Sequence, residues 1–149
     1  MPLIRHWDPE KRYEGAVIKV YAHWCLEVSW QQHTLGTYII FCRREGVRLE
    51  TELMPVELSS LQTVKREIQE SLQTHRAFHP DHFNHLQLGN LLPQLHIHGV
   101  PRYFKPRQYL GRTWEDPTPT HLPTWSSEPL PRDLIERLRD EMGSFLPID

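Results

Sequence analysis

The sequence predicts an α+β fold, in which strands and helices occupy separate stretches of the chain. Segments rich in β-branched and aromatic residues occur at 15–30, 37–42 and 83–102. One long helical pattern lies between them at 55–75, and a short one follows at 131–142. Two β-hairpins with a helix laid across them are the arrangement that these elements favour.

The strand signals differ in character along the chain. Residues 15–30 are interpreted as one or two strands followed by the polar turn 31–33. The stretch 37–42 is continuously apolar, which predicts a strand buried on both faces. Residues 83–88 alternate between apolar and polar types, and the Gly-Asn pair at 89–90 predicts a turn into the next strand.

The long helix is predicted to begin at Pro55, where the missing N–H costs nothing. Apolar residues then recur at three- and four-residue steps and predict a single stripe facing the sheet: Leu58, Leu61, Val64, Ile68 and Leu72. The proline-rich stretch 104–131 predicts a loop layer over the sheet. Pro131 is expected to open the short helix and Gly143 to stop it.

Composition limits the classes of function. At 149 residues, the chain is expected to form one domain, 1–149. A net charge of −2 gives no general attraction to nucleic acids, and no apolar run is long enough to span a bilayer. The N-terminus lacks a signal-peptide pattern, so we expect a cytoplasmic protein. Cys25 and Cys42 are expected to be reduced and buried, with a disulfide between neighbouring strands as the alternative.

The most informative segment alternates polar and apolar residues. Gln94, His96 and His98 are interleaved with Leu95 and Ile97. Because a strand sends successive side chains to opposite faces, the polar three are expected to form one exposed row while the apolar two enter the core. Two imidazoles two residues apart on a strand can share one substrate atom or one metal ion.

With its flanking residues, this segment resembles the signature of the histidine triad family, His-φ-His-φ-His-φ-φ with φ apolar. His96 falls at the central, nucleophilic position and His98 at the last, whereas Gln94 stands where the first histidine is usual. Gly99 departs from the trailing apolar pair. The resemblance covers about 15–116, and it is to the bacterial-type branch similar to diadenosine polyphosphate hydrolases, with Gln at the first triad position.

The resemblance implies an antiparallel five-stranded sheet with one long crossing helix, typically paired into a homodimer. It also implies a hydrolase or transferase that releases a nucleoside 5′-monophosphate from a dinucleoside polyphosphate, a phosphoramidate or a similar adduct. The reaction would pass through a nucleotidyl-histidine at His96. No cofactor or metal is required by this chemistry, although Mg²⁺ can accompany the substrate.

Further site residues follow from the resemblance, each with a structural alternative. His98 would donate to phosphoryl oxygens or to the leaving group, and Gln94 would orient its neighbours. Asn90 would contact phosphate, or is only a turn residue. Ser29 would contact ribose, or is a structural strand residue. Arg102 would neutralise distal phosphates, as would Arg107, or each is a surface charge.

Two rival functions stay open at this point. Gln94 cannot titrate, so the chain could be a nucleotide-binding sensor that has lost turnover. His96 and His98 could instead bind a metal if a third ligand joined them. A second group of histidines could bind a metal too, although helix-end and loop positions explain it better: His75, His79, His82 and His85. Four tryptophans are candidates either for base stacking or for the core: Trp24, Trp30, Trp114 and Trp125.

Overall fold

The computed structural model describes residues 3–4 and 13–148 and confirms the α+β fold. The elements in chain order are a 3₁₀ turn (Glu14–Ala16), β1 (Val17–Val20), β2 (Trp24–Val28), β3 (Tyr38–Cys42), a second 3₁₀ turn (Glu50–Glu52), α1 (Pro55–Thr74), β4 (His82–Leu86), β5 (His96–Arg102), β6 (Arg107–Tyr109), β7 (Arg112–Trp114) and α2 (Arg132–Met142).

The first five strands form one antiparallel sheet in the order β1-β2-β3-β5-β4. Strand β5, which carries the histidines, therefore lies between two neighbours. His96 is opposite Phe41 of β3, and His98 is opposite both Ile39 of β3 and Leu86 of β4. This pairing on both sides fixes the backbone from which the two imidazoles project.

Both helices pack on one face of the sheet. The indole Nε1 of Trp24 in β2 donates to the backbone carbonyl of Glu57 in α1 at 2.8 Å. The hydroxyl of Ser71 joins the helices by donating to the carbonyl of Met142 at 2.7 Å. Ile97 belongs to the core on this face. Since alternate residues of a strand share a face, the histidines on either side of Ile97 project from the opposite face.

The buried stripe of α1 begins later than the sequence suggested. Leu61, Val64, Ile68 and Leu72 are buried, whereas Leu58 is 48% exposed, so its predicted place in the stripe is wrong. Glu57 is buried in the first turn instead. Its carboxylate accepts two hydrogen bonds of 2.9 Å from the guanidinium of Arg44, and this ion pair makes burial of the charge possible.

The prediction that 104–131 is entirely loop is also wrong. Strands β6 and β7 form a separate two-stranded hairpin within it. The turn between them consists of Leu110 and Gly111, both at positive φ, 51° and 74°. This conformation suits the right-handed twist of a two-residue hairpin. The second helix has the predicted inward face, with Leu134, Ile135, Leu138 and Met142 buried.

The two cysteines are buried and free, as expected. Cys42 is opposite Trp24, while Cys25 is opposite Phe41, so the thiols project from opposite faces of the sheet. This register excludes the alternative of a disulfide between them. None of the helices in the described part of the chain is both long and apolar enough to cross a membrane.

Candidate active site

His96 is the first residue of β5, and its side chain is 5% exposed. Its Nδ1 lies 2.7 Å from the backbone carbonyl oxygen of Gln94. A carbonyl can only accept a hydrogen bond, so Nδ1 must be the donor and must carry the proton. In the neutral ring, Nε2 then holds the lone pair. This is the tautomer that nucleophilic attack through Nε2 requires.

His98 lies beside His96 on the same face of β5. The ring centroids are 5.0 Å apart and the planes are inclined at 75°. Nδ1 of His98 is buried and has no hydrogen-bond partner among the described residues. The pKa of His98 is lowered to about 4, mainly because the ring is buried and also because His96 and His33 lie nearby. His98 is therefore uncharged near pH 7.

The side-chain amide of Gln94 is held by backbone groups next to β3. The residue precedes β5, and its side chain turns back onto the segment that follows β3. Its Nε2 donates to the carbonyls of Cys42 at 2.7 Å and Arg44 at 3.1 Å, while its Oε1 accepts from the N–H of Gly46 at 3.0 Å. These bonds occupy both amide N–H groups within the protein, and the role of Gln94 in orienting its neighbours stays a prediction.

Gly99 departs from the family pattern for a steric reason. A Cβ at this position would lie 2.0 Å from Cε2 of Tyr38, which is opposite Gly99 on β3. The tyrosine ring therefore fills the space of the missing side chain. Its hydroxyl is hydrogen bonded to Nε2 of His85 on β4 at 2.8 Å. The Tyr38 side chain therefore crosses β5 at Gly99, the residue that follows His98.

Two further residues lie near the histidines: Trp125, which the sequence offered as one of four stacking candidates, and His33, which it did not single out. Trp125, from the proline-rich stretch, meets His98 edge to face with centroids 5.1 Å apart. Its other contact is His33, which stacks on the indole at 3.7 Å and 25°. Nδ1 of His33 accepts the backbone N–H of Ser126 at 2.8 Å, and burial lowers the pKa of His33 to about 4.

Arg102 has a structural position, and its predicted contact with phosphate is not supported. The residue is buried, and its guanidinium forms a bidentate ion pair with Asp116, with Nε–Oδ2 at 2.7 Å and Nη2–Oδ1 at 3.1 Å. Nη1 donates to Asn84 and to the carbonyl of His121, both at 2.7 Å, and Nη2 donates to the carbonyl of Thr118. All five N–H donors are thus used within the protein.

The carboxyl of Asp116 is ionised by the same network. Burial alone would raise its pKa, but hydrogen bonds from Arg102 and from the backbone N–H groups of Tyr103 and Thr118 hold the pKa below its usual range. Arg107 is also used internally, since its guanidinium donates to the carbonyls of Phe78, Lys105 and His79. Arg102 is therefore not a surface charge, whereas Arg107 is partly buried and keeps some exposure.

Asn90 and Ser29 are the remaining predicted site residues. Asn90 is exposed on the loop before β5, where it lines a surface cavity of about 350 Å³ with Arg48 and Gln87. Ser29 is buried just after β2, and its backbone N–H donates to the carbonyl of Thr37 at 3.0 Å. The roles of Asn90 and Ser29 toward a nucleotide stay predictions.

The second histidine group is spread over several environments. His75 lies among aromatic rings, and Nδ1 of His79 is 2.7 Å from the carbonyl of Gln73. His85 faces Tyr38, and His82 is exposed at the start of β4. Within residues 3–4 and 13–148, no three His, Cys, Asp or Glu side chains are grouped to hold a metal ion.

The other three tryptophans that were candidates for stacking have structural positions. Trp24 is fully buried in the core, and Trp30 packs edge to face on Tyr13 with centroids 5.5 Å apart. Trp114 is buried, and its Nε1 donates to the carbonyl of Tyr109 at 2.8 Å. Of the four candidates for stacking, Trp125 is the one that borders the histidine pair.

No protein-family model and no curated protein matches the chain by sequence. Its fold, however, is shared by solved structures of histidine triad proteins. One from Sinorhizobium meliloti is 17% identical, with a TM-score of 0.63 over 87% of this chain and 88% of that one. Another, from Marinobacter aquaeolei, is 19% identical, with a TM-score of 0.63 over 87% of each chain.

A third similar structure is a diadenosine triphosphate hydrolase from Plasmodium falciparum. It is 10% identical, with a TM-score of 0.65 over 90% of this chain and 78% of that one. Identities this low establish the architecture and not the activity. The chain has the fold of the histidine triad proteins.

Proposed function

We propose that this protein is a histidine triad nucleotide hydrolase or transferase with His96 as its nucleophile. The observation that carries the proposal is the 2.7 Å hydrogen bond from Nδ1 of His96 to the carbonyl of Gln94. It fixes the tautomer that has its lone pair on Nε2. The fold shared with histidine triad proteins, one of them a diadenosine triphosphate hydrolase, supports the same proposal.

In the first step, Nε2 of His96 attacks the α-phosphorus of a nucleotide adduct. An N–P bond forms while the bond from phosphorus to the leaving oxygen or nitrogen breaks, and the leaving atom takes the electron pair and acquires a proton. In the second step, the oxygen of water attacks the phosphorus and releases a proton to solvent, while the N–P bond breaks and its electron pair returns to Nε2. Another acceptor in place of water makes the enzyme a transferase.

His98 acts in this scheme as a neutral donor. With a pKa near 4, the ring carries one N–H at neutral pH, and this N–H is available to a phosphoryl oxygen or to the leaving group. The position of the ring, 5.0 Å from that of His96, allows both imidazoles to reach one phosphate. Because a histidine supplies the nucleophile, the scheme needs no metal or cofactor beyond Mg²⁺ that arrives with the substrate.

The substrate class that we propose is a dinucleoside polyphosphate, a nucleoside phosphoramidate or a related adduct. The P. falciparum enzyme of the same fold supports the first of these. We also propose that the protein works as a homodimer in the cytoplasm. The two buried free thiols are in keeping with a reducing compartment.

The test is to trap the intermediate. The protein is incubated briefly with a panel of adenylylated compounds, quenched, digested and analysed by mass spectrometry. We expect an AMP adduct on the peptide that contains His96. The His96→Asn variant should form no adduct and lose turnover, yet bind AMP within about tenfold of the native protein, since only the nucleophile is removed.

Full turnover in His96→Asn would rule out this mechanism. Binding of AMP by the native protein without an adduct or turnover would instead support the sensor function. The metal-binding rival is tested on its own: exhaustive chelation should leave hydrolysis of an AMP phosphoramidate unchanged, whereas loss of activity restored specifically by Zn²⁺ would favour a metal site.

A further inference from the structure

The proline-rich segment 117–130, called here the strap, returns across the sheet to the histidine pair. Hydrogen bonds at several points hold it to the body of the protein, among them Arg102 with the carbonyls of Thr118 and His121, the N–H of Ser126 with Nδ1 of His33, and the N–H of Leu130 with the carbonyl of Trp30 at 2.9 Å. The strap is thus fastened near both ends and in the middle, next to Trp125.

Trp125 is the large aromatic residue of the strap, and its environment is asymmetric. The ring of His33 stacks on the indole with centroids 3.7 Å apart, while His98 meets it at 5.1 Å and 76°. Even so, the residue is 44% exposed. The indole is thus held by His33 while part of its apolar surface stays open to solvent near His98.

We propose that Trp125 is a specificity-determining residue that stacks a planar ring carried by the substrate. We also propose that His33 is a positioning residue, which holds the indole through ring stacking and through the bond to Ser126. Both inferences rest on the proposed function, because they place a phosphate at His96 and His98.

The leaving group is the nearer source of that ring. The indole borders His98, which in the proposed scheme donates to the phosphoryl oxygens or to the leaving group. Attack by His96 expels the leaving group on the side of phosphorus away from Nε2. We place a ring attached to the leaving group against Trp125, and the base of the transferred nucleotide is the second possible source.

The experiment uses two series of phosphoramidates. The first keeps the AMP moiety and changes the amine from tryptamine to a ring-free alkylamine. The second keeps the alkylamine and compares AMP with ribose 5-phosphate, which lacks a base. The measured quantity in each series is the ratio of kcat/KM for the substrate with the ring to that for the substrate without it.

We expect Trp125→Ala to lower the ratio in the amine series by about tenfold, mainly through KM, since stacking on one aromatic ring is lost. Trp125→Phe should lower it less. A fall confined to the base series would identify the base as the stacked ring. Unchanged ratios in both series would overturn the proposal. Phe104→Ala is the matched control, because Phe104 is 62% exposed in the same proline-rich stretch and lies outside the site.

The role of His33 is tested by two variants that separate its contacts. His33→Phe keeps a ring to stack on Trp125 but loses the acceptor for Ser126, whereas His33→Ala loses both. We expect His33→Ala to raise KM for the tryptamine substrate with little change in kcat, and His33→Phe to restore much of the loss. An unchanged KM in His33→Ala would remove His33 from this role.

A binding measurement keeps the inference independent of turnover. In His96→Asn, the dissociation constant of the tryptamine phosphoramidate of AMP, measured by isothermal titration calorimetry, should rise when Trp125→Ala is added. Failure of the proposed function would appear as no AMP adduct on native His96. Failure of the proposed stacking on Trp125 would appear as a dissociation constant that does not change in the Trp125 variant.

Discussion

The backbone carbonyl of Gln94 accepts a hydrogen bond from the imidazole of His96, while the side chain of Gln94 is bonded elsewhere. The oxygen belongs to Gln94 and accepts from Nδ1 of His96 at 2.7 Å, while the Gln94 side chain is held by three backbone groups at 2.7 to 3.1 Å. The amide therefore anchors the carbonyl that sets the imidazole. This geometry supports a positioning role for Gln94, in which hydrogen bonding matters and titration does not.

Gln94→Ala should lower kcat/KM by about ten- to a hundredfold and destabilise the protein by about 1–3 kcal/mol, since two carbonyls and one N–H lose their partner. Gln94→His should cost less, because an imidazole can replace some of these bonds. The measurements are steady-state rates on one fluorogenic adenylate and urea denaturation of the three proteins.

A different ranking would contradict the positioning role. If Gln94→His raised turnover by orders of magnitude, the native chain would be an impaired enzyme or a sensor. If Gln94→Ala matched the native protein in rate and stability, the side-chain hydrogen bonds of Gln94 would not be needed to position the carbonyl of residue 94.

Arg102 should be required for stability and not for recognition of phosphate. Replacing it by Met leaves the buried Asp116 without its cation, a change that costs about 3–5 kcal/mol in comparable buried pairs. The double variant Arg102→Met, Asp116→Leu should recover part of that loss. Thermal and urea denaturation measure both. The opposite result would support the predicted contact of Arg102 with phosphate. In that case Arg102→Met would be as stable as the native protein, and its KM would rise only for a dinucleoside polyphosphate.

The contrast between these residues shows what the sequence could predict. The sheet, both helices and the histidine row follow from local periodicity, because each apolar face is read from neighbours two to four residues apart. Arg102 meets Asp116, and His33 meets Trp125, only because of the path that the chain takes after β5, and no local pattern reports that path. The direction of the Gln94 side chain depends on where β5 begins, which alternation alone does not fix.

The free energy of unfolding should fall as the pH drops below about 6.5, and His85 is one residue whose contribution can be measured. Burial, aided by the charge of Lys65, lowers the pKa of His85 from 6.5 to about 4. Between these values the unfolded chain binds a proton that the folded protein excludes, so acid favours unfolding. His33 and His98 are shifted the same way.

The measurement is the free energy of unfolding in urea at pH 7 and pH 5, for the native protein and for His85→Asn. We expect a smaller difference between the two pH values in the variant, whatever its stability at pH 7. An identical difference would mean that His85 is not protonated more readily in the unfolded chain. The site is not involved, since His85 projects from the helix-bearing face.

Gly99 and Tyr38 should behave as one packing unit. A Cβ on Gly99 would lie 2.0, 2.2 and 2.5 Å from three atoms of the Tyr38 ring, so Gly99→Ala must displace either the ring or β5. We expect a loss of about 1–3 kcal/mol, the usual cost of overpacking a filled core. Because Gly99 follows His98 directly, kcat/KM should fall as well.

The double-mutant cycle decides whether the clash is the cause. Tyr38→Leu alone should also destabilise, since it opens space and removes the hydroxyl from His85. Combined with Gly99→Ala, the loss should be smaller than the sum of the two single losses by about 1 kcal/mol or more, measured by urea denaturation. Gly111→Ala is the control, because nothing lies within 4 Å of its Cβ position and only its positive φ opposes the change. Strict additivity at positions 38 and 99 would show that the tyrosine ring is not what excludes a side chain beside His98.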